Sequence, residues 1–405
     1  MTAPATASSL PSLSSAPAVW TDVVGQDLVV EVLTRAVRAA TTGVQGSAEG
    51  MTHAWLFTGP PGSGRSTAAR AFAAALQCDQ GGCGVCSSCH TVLGGTHADV
   101  EIVNTRQLSI GVDDTRALVA RAARHPSGGR WQIMLIEDAD RLTERAGNAL
   151  LKAIEEPTPR TIWLLCAPAL EDVLPTVRSR CRLLSLRTPS TAAVTDVLVR
   201  RDGIDPAMAS FAARAAQGHI GRAKRLATDE DARLRRHDVL RLPLSLNDLG
   251  AALEAAAALV KAATEEAQET GAPVDLDETE QLRRALGAGT TGRGMVSGAG
   301  AQLKDLEKQQ KARATRLKRD ALDRALVDLA SFYRDVLAVQ VGAAVELVNE
   351  EMRETVIGIA RSSPPEATLR RIDAVLAARD AIGASVAPLL AIEALTVALG
   401  AGSAG

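Results

Sequence analysis

Apolar residues are spread along this chain with two different periods. In the first half they gather in short runs, Ala54 to Phe57, Trp131 to Ile136 and Thr161 to Leu165, of the kind shown by strands buried on both faces of a parallel sheet. Ala68 to Leu76 follows the first run as an apolar helix. From Pro189 to about Leu240 apolar and charged residues alternate at helical spacing, and Asp202-Gly203-Ile204-Asp205-Pro206 reads as a turn and a helix start. An alanine-rich helix is expected from Leu249 to about Ala263. Leu322, Leu326, Leu329, Phe332 and Val336 recur at helical spacing. Leu369, Ile372, Val375 and Leu376 do the same after the Ser362-Ser363-Pro364-Pro365 break, and Ile382 to Leu399 forms a last helix interrupted by Pro388. The pattern predicts an α/β N-terminal domain followed by all-α regions.

Two stretches lack such a pattern. Met1 to Ala18, rich in Ser, Ala, Pro and Thr, reads as a disordered tail and carries neither the charged start nor the apolar centre of a signal peptide. Glu265 to Thr315 is rich in Gly, Glu, Gln and Thr with weak periodicity, and is expected to be a mobile insertion. Near its end, Lys304, Lys308, Lys311, Arg313, Arg316, Lys318 and Arg319 read as a charged, solvent-exposed helix, with a phosphate-contacting face as the alternative.

Composition adds to this picture. With 405 residues the chain has room for two to four domains, at roughly 100 to 200 residues each. Apolar residues make up 46% but aromatics only 2%, so alanine carries much of the packing, which suits closely packed helices. The net charge of −2 provides no global basic field, so any contact with DNA must come from a local patch or from partner chains. No run of about 18 apolar residues exists, and a soluble, cytoplasmic protein with no membrane contact is expected.

Chemistry concentrates between the apolar runs. Gly59-Pro60-Pro61-Gly62-Ser63-Gly64-Arg65-Ser66 has the form of a phosphate-binding loop, small residues turning backbone N–H groups inward ahead of a helix N-terminus, except that Arg65 stands where lysine is expected. A planar guanidinium keeps the positive charge but fits poorly between two phosphates. The strand at 131–136 ends in Glu137-Asp138, acids placed near a magnesium ion but in the reverse of the Asp-Glu order that hydrolysis requires. A misplacement of roughly 1 Å can cost on the order of a hundredfold in rate. At the tip of the next strand Cys166-Ala167-Pro168 provides no good donor to a terminal phosphate. Gly59, Gly62, Gly64, Arg65, Ser66, Glu137 and Asp138 therefore form a degraded nucleotide site, at which ATP or ADP, and Mg2+ with it, is doubtful.

Four of the six cysteines, Cys78, Cys83, Cys86 and Cys89, lie within twelve residues. Without an export signal such a cluster reads as metal-binding, and four thiolates make Zn2+ in a closed structural site the expectation, with His90 and His97 as bystanders.

With these residues assembled the chain resembles the clamp-loader branch of the AAA+ superfamily, and within it the delta-prime family of bacterial DNA polymerase III subunits. The resemblance rests on Val23-Val24-Gly25-Gln26, the four-cysteine insertion, Asn148-Ala149-Leu150-Leu151-Lys152-Ala153-Ile154-Glu155-Glu156-Pro157 and Leu174-Pro175-Thr176-Val177-Arg178-Ser179-Arg180-Cys181. It implies a RecA-like AAA+ domain over 19–188 with a zinc module at 78–89, a helical lid over 189–240 and a helical collar over 241–401. In this family the Ser-Arg-Cys arginine reaches a neighbouring subunit's ATP site, a role that falls to Arg180. A lid arginine faces the subunit's own nucleotide, and Gly218-His219-Ile220-Gly221-Arg222-Ala223 places Arg222 there.

The resemblance implies a stator-like subunit with little or no ATPase of its own, partnered by gamma/tau and delta subunits and the sliding clamp, and meeting primed DNA mainly through the assembled complex. Two other readings stand beside it, an ATP-hydrolysing gamma/tau-type motor and a zinc-containing DNA-binding protein that acts alone.

Overall fold

Five parallel strands, β1 (Ala54–Thr58), β2 (Val100–Val103), β3 (Gln132–Ile136), β4 (Thr161–Ala167) and β5 (Arg182–Ser185), pair in the order β2-β3-β4-β1-β5. The coordinates are a computed structural model describing residues 17–42, 50–104, 109–286 and 299–401. The expected tail falls almost wholly on residues 1–16, outside the described residues, as does the 287–298 part of the expected insertion. Every residue of β1, β3 and β4 is buried, which is why these three read as unbroken apolar runs. β2 and β5 are the edges and are only partly covered. Their mixed residues, Val-Glu-Ile-Val and Arg-Leu-Leu-Ser, gave no such run, and both strands escaped the sequence reading.

Helices cover both faces. On one lie α1 (Asp27–Thr42), α2 (Arg65–Gln77) and α3 (Ser87–Leu93), packing Leu33, Phe72 and Leu76 against Trp55, Phe57, Leu164 and Cys166. Alternation along the strands sends Leu56, Met134, Trp163 and Leu165 to the other face, against Leu118 of α4 (Val112–Ala122) and Leu150 and Ile154 of α5 (Glu144–Glu155). Six buried alanines on α2 let it approach the sheet closely, and Phe72 meets Trp55 edge-on at 5.1 Å. The short α6 (Pro175–Arg178) precedes β5, and α7 (Thr191–Arg200) follows it.

Asp99, just before β2, organises the turn that enters β3. Burial alone would raise its carboxyl. Donors from the Ser127 N–H and hydroxyl and the Gly128 and Gly129 N–H groups outweigh that effect and hold the pKa down at about 2. A depressed carboxylate contributes stability above its unfolded pKa and loses it as pH falls through the folded value. Asp99→Asn is therefore expected to cost about 2 kcal/mol at pH 7 and much less near pH 2, read as urea midpoints at the two pH values.

By packing, the chain divides into two units. The first reaches Val197 and includes Gly218–Ile220, and the second holds 198–217 and 221 onward. In the second, α8 (Pro206–Ala215), α9 (Ile220–Thr228) from Gly221 on, and α10 (Glu230–Arg241) group with α11 (Leu249–Ala285), α12 (Ala299–Gln340), α13 (Arg353–Ser362), α14 (Pro365–Gly383) and α15 (Pro388–Ala401). Asp205 caps α8 through the Ala207 and Met208 amides, as the Asp-Gly-Ile-Asp-Pro turn predicts. The Leu322, Leu326, Leu329, Phe332 and Val336 stripe lies in the second core.

Two segments of this unit differ from expectation. On α14 Val375 is buried, but Leu369 and Leu376 are largely exposed, because the inner face is turned toward Ala367, Arg371, Ala378 and Ile382, with Arg371 stacked over Tyr333 at 5.9 Å. The stretch expected as a mobile insertion is helical over 265–285 and from 299 on. Its seam uses Ala263, Ala267 and Gly271, where an added Cβ would sit 3.4 Å from Leu317. Arg313 bridges Asp275 and Glu278 across that seam. A seam of small residues and a buried ion cluster carries little apolar periodicity.

Candidate nucleotide-like loop, arginine and cysteine sites

The loop between β1 and α2 closes on itself and on the chain behind it. Gly62 has φ 85°, and a Cβ there would fall 2.5 Å from His219 Cα; a Cβ on Gly59 would fall 2.6 Å from the Leu186 carbonyl. Only glycine fits either position. Gln26 braces the loop from below, its amide donating to the carbonyls of Ser63 (3.1 Å) and Arg187 (2.6 Å) and accepting from the Arg187 N–H (3.1 Å). This gives the Val-Val-Gly-Gln motif a mechanical role that the sequence left unstated. Ser63 Oγ is buried within the loop without a hydrogen-bond partner among the described residues. Gly64 caps α2 in the left-handed region, and Arg65 and Ser66 open the helix, both half-buried.

Arg65 does not extend away from the loop. Its guanidinium donates 2.6 Å to the Gly59 carbonyl, and burial lowers its pKa against the opposing influence of Cys166, Asp140 and Asp138. Glu137, at the tip of β3, is buried with both carboxylate oxygens engaged. Arg70 Nε donates to one at 2.6 Å and Asn104 Nδ2 to the other at 2.9 Å. Asp138 follows, half-buried, and burial raises the Asp140 carboxyl. Cys166 is fully buried beside Phe57, and burial, reinforced by Glu137, pushes its thiol up. The loop, Glu137 and Cys166 thus lie at the ends of the neighbouring strands β1, β3 and β4.

Arg70 and Asn104 were not singled out from sequence. Arg70 did leave a signal, being the one charged residue in the alanine-rich run from Ser66 to Gln77. Asn104 left none.

Arg180 sits at the surface, 38% exposed, just after α6. Its Nε donates to Glu155 at 2.5 Å and a terminal nitrogen donates to the Thr176 carbonyl at 2.8 Å. Glu155 is the last residue of α5, so the Asn-Ala-Leu-Leu and Ser-Arg-Cys motifs meet in one ion pair. The negative end of the α5 dipole favours the guanidinium there. Burial raises the adjacent Cys181 thiol to about 12, so it stays neutral.

Arg222 lies in the second unit, mostly buried, and pairs with Asp328 of α12. Asp328 also accepts from Arg236 Nε at 3.2 Å. Arg222 thus has a carboxylate partner within its own unit.

The four cysteines converge. Their sulfur atoms all lie within 4.8 Å of one another, with Cys78 3.7 Å from both Cys83 and Cys86. A tetrahedral ion with thiolate bonds of about 2.3 Å requires edges of about 3.8 Å, so the donor set fits a four-coordinate metal. The Cys83 and Cys89 N–H groups donate to the sulfurs of Cys78 and Cys86, each at 3.4 Å. Burial opposes ionisation of Cys78, but amide donors at Cys83, Gly82 and Gln80 prevail and lower its pKa to about 6. His90 and His97 are not part of the set.

A family profile described as DNA polymerase III, delta subunit, matches residues 42–190. Over 182 residues, 42% of this chain and 30% of the relative, the sequence is 37% identical to DNA polymerase III subunit gamma/tau of Mycobacterium tuberculosis. Over 163 residues, 39% of this chain and 50% of the relative, it is 35% identical to subunit delta' of Pseudomonas aeruginosa. The chain thus spans half or less of these curated relatives. Among solved structures, a DNA polymerase III gamma subunit-related protein from Thermotoga maritima aligns with 91% of this chain and 99% of its own at 12% identity and a TM-score of 0.39.

Proposed function

We propose that this chain, through residues 42–190, is a clamp-loader AAA+ protein and serves as a cytoplasmic delta-prime-type stator. In this reading it joins gamma/tau and delta subunits in a loader of the sliding clamp onto primed DNA, and supplies Arg180 to a neighbour's ATP site while hydrolysing little or no ATP itself. The observation that carries the proposal is a contrast between two charged groups. Glu137, the acid of the chain's own site, has both oxygens committed to Arg70 and Asn104, whereas Arg180 stands at the surface. A developing phosphoryl charge is stabilised by an oriented guanidinium at the surface, and a carboxylate already paired with a guanidinium is a poor ligand for the magnesium ion that hydrolysis needs.

A gamma/tau-type motor draws support from the 37% identity to that subunit. Against it stand Arg65 turned onto Gly59 and the locked Glu137. If ATP or ADP binds, the loop amides and Ser66 would hold its phosphates, with Asp138 nearest in kind to a ligand for Mg2+. For the cysteine cluster we propose zinc, in a closed structural site that leaves no position for chemistry.

The test is direct. The purified chain is expected to turn over no ATP. Arg65→Lys, which frees the Gly59 carbonyl and restores a compact charge, should tighten a fluorescent ATP analogue about tenfold, the scale of one charge-assisted hydrogen bond, without creating turnover. Steady turnover by the unaltered chain, abolished by Arg65→Ala, would overturn the stator reading in favour of the motor.

A further inference from the structure

We propose that the outer face of α12 between Lys304 and Arg319 binds the phosphate backbone of duplex DNA, making this chain a DNA-contacting arm in its own right. At about 100° per residue, Lys304, Lys308, Lys311, Lys318 and Arg319 fall within roughly one third of the helix circumference. Leu303, Leu306, Gln310, Arg313 and Leu317 occupy the opposite side. That side faces α11, as the Gln310 bond to the Asp275 carbonyl at 2.9 Å, the Arg313 pairs with Asp275 and Glu278, and the contact of Leu317 with Gly271 place it. The cationic stripe therefore points away from the seam and from the acids of α11. Two acids, Asp305 and Glu307, stand at its margins.

Pairing separates the two sides of the helix. Arg313 and Arg316 are ion-paired, Arg316 with Asp320 at 3.6 Å. Lys304, Lys311, Lys318 and Arg319 make no ion pair with any described residue, and Lys308 has only an exposed contact with Asp305 at 3.4 Å. Lys304, Lys308 and Lys311 are exposed, and the stripe ends where Leu322 on the same side enters the core.

The chemistry of the face selects the partner. Its cations recur about once per turn over a straight length of about 21 Å, a row of flexible point charges suited to a regular polyanion. It holds no large apolar side chain to anchor a protein, and lysine is depleted from the cores of protein interfaces. No aromatic residue lies between Ala299 and Arg319 to stack on bases, so a duplex and not a single strand is the fitting ligand. The inference is independent of the state of the nucleotide-like loop.

A fluorescein-labelled duplex of about 30 base pairs, titrated by anisotropy with the full chain at several salt concentrations, tests it. The unaltered chain should bind with a steep salt dependence. The variant carrying Lys304→Gln, Lys308→Gln, Lys311→Gln and Lys318→Gln should bind on the order of a hundredfold more weakly, with the log–log salt slope reduced by about 3 to 4. Circular dichroism checks that the helix persists, since the seam is untouched. Arg283→Gln with Arg284→Gln, cations of α11, should leave binding within about twofold. The proposal is overturned if the unaltered chain binds no duplex at about 50 mM salt, or if the α11 variant loses as much as the α12 variant. It is equally overturned if the lysine variant keeps its DNA affinity and instead loses association with gamma/tau, which would make the stripe a protein-docking face.

Discussion

Arg180→Ala is expected to lower ATP turnover of a loader reconstituted with gamma/tau and delta, clamp and primed DNA by about 10³-fold, the lower end of the range for arginines acting across an interface. The variant should fold and assemble as before. Its partner Glu155 is itself largely exposed, so removing the guanidinium strands no buried charge, and the cost to stability should be below about 1 kcal/mol. Arg180→Lys keeps the charge but loses the planar fork that grips Glu155 and Thr176 together, and should recover only a small part of the rate. Gel filtration of the assembled complex separates a catalytic loss from a failure to join. Unchanged turnover in an intact complex would remove Arg180 from the neighbour's chemistry.

Metal removal is expected to have the largest structural effect. Elemental analysis of the unaltered chain should find one zinc per chain, and Cys83→Ser with Cys86→Ser should abolish it. Both positions are half-exposed, so the exchange itself is sterically mild. What a bound ion would support is the packing around the cluster. The Gly82 carbonyl accepts from the Val19 N–H at 3.3 Å, and a Cβ on Gly82 would fall 2.6 Å from the Val19 side chain, so the module clasps the turn that carries Trp20 into the core. Closed tetrathiolate sites in small domains bind with apparent energies of about 10 kcal/mol or more. Even partial loss of such a contribution should lower the melting temperature by about 10 °C or more. Metal-free native protein with an unchanged melting temperature would leave the cysteines as ordinary packing residues.

The sequence was most legible where burial was complete. β1, β3 and β4 are covered on both faces and left unbroken apolar runs, whereas β2 and β5 mix exposed and buried residues at the sheet edges and left nothing to read. The loop glycines and the cysteine spacing were legible because backbone geometry and metal coordination restrict residue type. The partners of Glu137 were not, because Arg70 and Asn104 come from α2 and the end of β2, 67 and 33 residues away along the chain. The α11–α12 hairpin was misjudged for a related reason. Its α11 side is built of alanine and glycine, and on α12 an ion-paired Arg313 interrupts the leucines, so neither segment shows a clean apolar stripe.

The strand order also sets a schedule for synthesis. β1 lies between β4 and β5, so neither of its flanks is occupied until residues 161–167 and 182–185 have left the ribosome. The Gln26 brace waits longer still, for Arg187, 161 residues downstream. At about 5 to 20 residues per second the loop at 59–66 stands unbraced for on the order of ten seconds, while the four-cysteine cluster is complete at Cys89. The cysteine cluster is thus available as an early nucleus, and the nucleotide-like loop is among the last parts of its domain to close.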